Sequence, residues 1–140
     1  MTDHLYGIEL DYRSELAVRH GDTSAAAMPI GHLLPVRAQF AGAAGAAYAT
    51  RPLAHPLADL HRLLGDHGAA ADAYLLAERV ARAWKAPHRA AAARRASANL
   101  AADGLRRRNF ALGRCAAPAQ ETSTGNDEGK ENALLATLNL

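Results

Sequence analysis

At 140 residues, with a net charge of +2 and one cysteine, the chain is sized for a single small domain with tails, and it excludes an internal disulfide or a cysteine-rich zinc site. About a quarter of it is alanine, against two isoleucines and three valines, a balance that favours helix over sheet. The near-neutral total hides a layout in which residues 1–78 carry −4, residues 79–114 carry +9 and residues 115–140 carry −3.

The first element is ambiguous. Leu5–Leu10 has the length of a short strand, but Ile8, Tyr12, Glu15, Leu16 and Arg19 follow a helical period, so a helix is expected from about Glu9 to Arg19, ended by His20-Gly21-Asp22. Asp22 to Pro35 reads as a loop because Pro29 and Pro35 interrupt it. Val36–Thr50 reads as a helix of small residues. Ala41, Gly42, Gly45, Ala46 and Ala49 give it a smooth face, suited either to close packing inside the bundle or to a homo-oligomer contact through 36–50.

Pro52 is expected to open the next helix, with Leu53, Leu57, Leu60 and Leu64 on its inner face and Asp59 and Arg62 outside. Gly65-Asp66-His67-Gly68 stops it. A further helix follows from about Ala69 to Trp84, with Ala70, Ala73, Tyr74, Ala77, Val80, Ala81 and Trp84 in one stripe, Asp72 and Arg79 outside, and Glu78 spaced to pair with Arg82. Pro87 marks an end or a new start. His88–Asp103 is expected to be helical, Gly104 to break or kink it, and Leu105–Leu112 to add a short helix. Ala116 to Asn132 is too polar to bury a core and is expected to be disordered, while Leu134, Leu135, Leu138 and Leu140 could form one terminal turn. The expected architecture is an all-α bundle of four or five helices over residues 1–114, with an acidic tail at 115–140.

The start of the chain has neither a basic cluster nor an apolar run of the secretory kind. The longest uncharged stretches fall short of the roughly 20 residues a membrane span needs. A soluble, cytoplasmic protein without a membrane partner is the expectation.

Leu57-Ala58 in one helix, Leu64-Gly65-Asp66 at the turn, and Ala70, Tyr74 and Ala77 in the next helix make up a hairpin. This stretch resembles one tetratricopeptide-type repeat, about a quarter of the chain, with His61 where that family often carries an aromatic. The resemblance implies close helix crossing at the small residues, with the aromatic filling the gap beside them. It also implies binding of a protein or peptide on a concave surface, without chemistry.

The basic segment supplies the candidate contact residues: Arg82, Lys85, Arg89, Arg94, Arg95, Arg106, Arg107 and Arg108. Arg82, Lys85 and Arg89 would share a face if one helix ran on through Pro87. Such a segment fits an acidic protein partner. It also fits a nucleic-acid backbone, whose counterions clustered cations release, although only Trp84 and Phe110 are at hand to stack on bases.

Signs of catalysis are thin. Arg62-x4-His67 has the spacing of the helical HEPN ribonucleases, in which histidine would do acid–base work and arginine would meet the developing charge. Arg13 with His20 and Arg82 with His88 satisfy the same loose spacing, so it discriminates little. His55, His61 and His67 recur every six residues, which scatters them round a helix rather than gathering them on a metal. The sequence therefore points to a non-enzymatic interaction or adaptor module with no cofactor and no metal. Its alternatives are a nucleic-acid-binding regulator on the same basic segment and, third, a HEPN-like ribonuclease.

Overall fold

The computed structural model describes residues 4–42 and 51–115. Among them are five α-helices and one short 3-10 helix: α1 (His4–His20), α2 (Ala27–Leu33), the 3-10 helix (Leu34–Val36), α3 (Ala54–Leu63), α4 (His67–Ala83) and α5 (Pro87–Cys115). Pairing beyond helices is limited, among the described residues, to one antiparallel bridge between Phe40 and Pro52. The protein is all-α. It divides into Met1–Arg108, which holds the core, and Asn109–Leu140, whose described part is the end of α5. None of the described helices is long and apolar enough to cross a membrane.

α1 is longer than the sequence suggests and buries a different face. Tyr12 and Leu16 are exposed, while Leu10, Asp11, Ser14 and Ala17 point inward. Ser14 donates to the Leu10 carbonyl one turn back, so its buried hydroxyl is satisfied. On the outer face Glu9 pairs with Arg13 and Glu15 with Arg19 at one-turn spacing, each worth about 0.3–0.5 kcal/mol.

The expected loop at 22–35 contains α2. Pro29 is in the first turn of that helix, where its missing N–H costs nothing, and Pro35 lies in the 3-10 turn. Before α2, Asp22 accepts from the Ser24 hydroxyl and from the Ser24 and Ala25 amides. The Ser24 hydroxyl first, then the Ala25 amide, hold this carboxyl below its usual range.

The helix expected over 36–50 does not form in its described part. Arg37–Gly42 runs through turns, Gly42 sits at φ 73°, and Phe40 bridges Pro52 instead of continuing a helix. Residues 43–50, which carried the rest of the expected oligomer face, lie outside the described residues, as do the tail and its leucine turn at 116–140.

α3 and α4 form the expected hairpin, with α3 starting at Ala54, two residues after Pro52. Leu53, Leu57 and Leu60 are buried from one side and Ala70, Ala73 and Tyr74 from the other, while Leu64 and Trp84 at the helix ends stay exposed. Asp66 caps α4 by accepting from the Ala69 amide at 3.0 Å, a contact worth about 1 kcal/mol.

Two bonds close α3. The Gly65 amide reaches Arg62 O, and the Asp66 amide reaches His61 O, with Gly65 at φ 81°. α4 ends in the same way: Lys85 N–H reaches Arg82 O and Ala86 N–H reaches Ala81 O. There a lysine at φ 55° takes the left-handed place that glycine usually fills.

Pro87 then starts α5. Gly104 does not break it, because one helix runs from Pro87 to Cys115. Ala54, Ala77 and Ala93 form a small buried cluster where α3, α4 and α5 meet.

Candidate interaction surface

Two places gather functional side chains. The first is a half-buried polar hub. Arg51, just ahead of α3, donates Nε to Asp11 Oδ1 at 2.7 Å and Nη1 to Asp59 Oδ2 at 3.2 Å. The Tyr74 hydroxyl donates to the other oxygen of Asp59. The three charged side chains are only 12–20% exposed. The His55 ring stands edge-on to Tyr74 at 5.4 Å. Burial first, then the nearby Arg51, lowers the His55 pKa, against an opposing pull from Asp59. Burial, then the Asp59 charge, pushes the Tyr74 phenol well up, so it stays a hydrogen-bond donor.

The hub ties α1, the approach to α3, α3 and α4 together. It corrects the expectation that Asp59 is a surface charge. The sequence signal for it is an acid, Asp11, on the same helical face as Leu10, Ser14 and Ala17.

The second place is a groove of about 620 Å³ along one side of α4 and α5. Glu78 of α4 holds Arg94 of α5, while His67 and Ala71 at the start of α4 line the groove with residues farther along α5, so the two helices run antiparallel. The groove floor is Ala71, Leu100, Ala101 and Gly104, with Leu105, Arg107 and Arg108 on the rim and no acid on the walls.

Gly104 is helical, and a Cβ there would meet only open space. Glycine inside a helix costs about 1 kcal/mol relative to alanine, and no contact within the chain uses its small size. His67 borders the same groove, with its Nδ1 buried and unbonded.

The eight sequence-predicted cations do not form one face. Arg82 and Arg94 both bind Oε1 of Glu78, at 2.6 and 2.8 Å, and Arg94 first, then Arg82, hold that carboxyl below its usual range. Arg82, Lys85 and Arg89 share no helix face, because Lys85 turns the chain between α4 and α5. Arg89 borders a different cavity, of about 510 Å³, with Asp11, Arg51 and Asp59, and its buried Nε makes no hydrogen bond.

Arg95, Arg106, Arg107 and Arg108 are exposed and form no ion pair among the described residues. At about 100° per residue, Arg95 and Arg106 fall on the side of α5 away from the groove, whereas Arg107 and Arg108 border it.

The pair with the ribonuclease-like spacing is Arg62 and His67. Arg62 is exposed on α3 and acts on the Tyr74 side, whereas His67 borders the α4–α5 groove. No group of three His, Cys, Asp or Glu side chains among the described residues is placed to hold a metal. No family model, no curated protein and no solved structure matches the chain.

Proposed function

We propose that the chain is a non-catalytic helical interaction module that holds an acidic protein partner against the arginines of α5. One observation carries the reading: Arg107 and Arg108, unpaired among the described residues, stand on the rim of an apolar groove whose walls hold no acid. Arg95 and Arg106 on the outer face add a positive field that steers an acidic partner inward. The tetratricopeptide-type reading of the α3–α4 hairpin fits this role, since buried Ala58, Ala70 and Ala77 let the helices cross closely beneath the contact surface.

A protein partner is favoured over nucleic acid for two reasons. Arg106, Arg107 and Arg108 point in directions about 100° apart and cannot follow one phosphate track. The groove walls also offer no Phe, Tyr or Trp ring for a base.

The test uses polyglutamate as an acidic polypeptide and the full chain as binder. The expected result is saturable binding that falls at least tenfold in the Arg107→Glu, Arg108→Glu double variant and by less in Arg94→Glu, whose side chain already serves Glu78. Equal binding by all three proteins would overturn the proposal.

A further inference from the structure

We infer that the α4–α5 groove receives one amphipathic acidic helix of the partner, packed with its backbone close to Gly104. The inference rests on the proposed binding role and gives the partner its shape. Three observations meet at this groove.

Its floor is largely apolar, with Ala71, Leu100, Ala101 and Gly104 beside Ser97, and Leu105 extends the apolar surface at the rim. Leu105 is 56% exposed although it belongs to this apolar strip. An occupant with apolar side chains three and four residues apart covers such a strip, which is the usual way a helix lies in a groove.

Gly104 lies on the floor and keeps an ordinary helical backbone, yet nothing in the chain comes within 4 Å of where its Cβ would be. The open space at Gly104 leaves room for an outside backbone to approach the groove there. Helix axes come to about 8 Å only where small residues face each other, so the occupant carries Ala, Gly or Ser opposite Gly104.

The rim sets the charge. Arg107 and Arg108 are the cations beside the groove. Acids flanking the occupant's apolar stripe would meet the two arginines.

The experiment titrates the full chain with three labelled probes: an 18-residue helical peptide of leucine, alanine and glutamate with an apolar stripe, a scrambled peptide of the same composition, and polyglutamate. Each is repeated with Gly104→Trp and with Ala101→Trp, the second placed at an exposed floor position so that a folding failure of the first is not decisive. Circular dichroism checks both variants.

The expected result is at least tenfold tighter binding of the striped peptide than of the scramble. That advantage of the striped peptide over the scramble disappears in either folded variant. Equal binding of striped and scrambled peptides, with polyglutamate still bound, overturns the groove inference and leaves the acidic-partner reading standing. Loss of binding to all three acidic probes overturns both, and so does displacement of the striped peptide by a 16-nucleotide RNA that Gly104→Trp also weakens.

Discussion

The Tyr74 hydroxyl and the Asp59 carboxylate bind α4 to α3 at 2.5 Å, while Arg51 holds the other oxygen of the same carboxylate at 3.2 Å. Tyr74 is 1% exposed, so its ring already contributes to the core, and the hydroxyl adds a hydrogen bond to a charged acceptor. Tyr74→Phe keeps the ring and removes only that bond. The expected cost is about 2 kcal/mol, read as a lower urea midpoint with an unchanged slope. A variant as stable as the parent would mean that Arg51 alone satisfies Asp59.

His55 makes the fold sensitive to mild acid. Its pKa in the folded chain lies below the ordinary 6.5, chiefly through burial. Below 6.5 the unfolded chain takes up a proton that the folded chain resists, so this contribution to stability is complete above 6.5 and is lost as pH falls through that value. Thermal melts from pH 8 to pH 5 are expected to show a drop in Tm beginning near that point, and His55→Gln is expected to remove this step. A His55→Gln profile that matches the parent would assign the drop to other groups.

Lys85 occupies a left-handed position at φ 55° in the closing turn of α4, where Gly65 serves α3. Lys85→Gly removes the Cβ clash and is expected to stabilise the chain by up to about 1 kcal/mol. Chemical denaturation reads this directly. A loss of stability would show that the lysine stem packs in a way that outweighs its backbone strain.

Most of the α3–α4 hairpin was legible from local rules. Leucine spacing in α3, the alanine–tyrosine stripe of α4 and the glycine turn between them are set by residues within one or two turns of each other. What was hidden depends on distant partners or on exact position. Asp59 looks like surface charge until Arg51 and Asp11, the latter 48 positions upstream, are brought beside it. Pro29 reads as a breaker until it is known to fall in the first turn of α2. Ala38 and Ala41 favour helix locally, but over residues 37–42 the Phe40–Pro52 bridge and the turn at Gly42 override them. The basic segment was visible as composition, but its division among Glu78, the Arg51 hub and the groove rim was not, since it depends on the register of α4 against α5.

Gly104→Ala separates the fold from binding. Its added methyl meets open space, and alanine raises helix propensity by about 1 kcal/mol, so Tm is expected to rise by roughly 4 °C. An unchanged or lower Tm would show that Gly104 serves a need of the free chain, which would remove the reason to place a partner backbone beside it.

The most direct test of the central claim is a competition by fluorescence anisotropy at about 0.05 M and about 0.15 M salt. The full chain is loaded with the striped acidic peptide and challenged with unlabelled 16-nucleotide RNA. Apolar anchoring in the groove predicts peptide binding that weakens only a few-fold between the two salts and is not displaced by RNA at the higher one. Displacement by RNA at about 0.15 M, or peptide binding that vanishes there with the steep salt slope of simple charge neutralisation, would contradict the account.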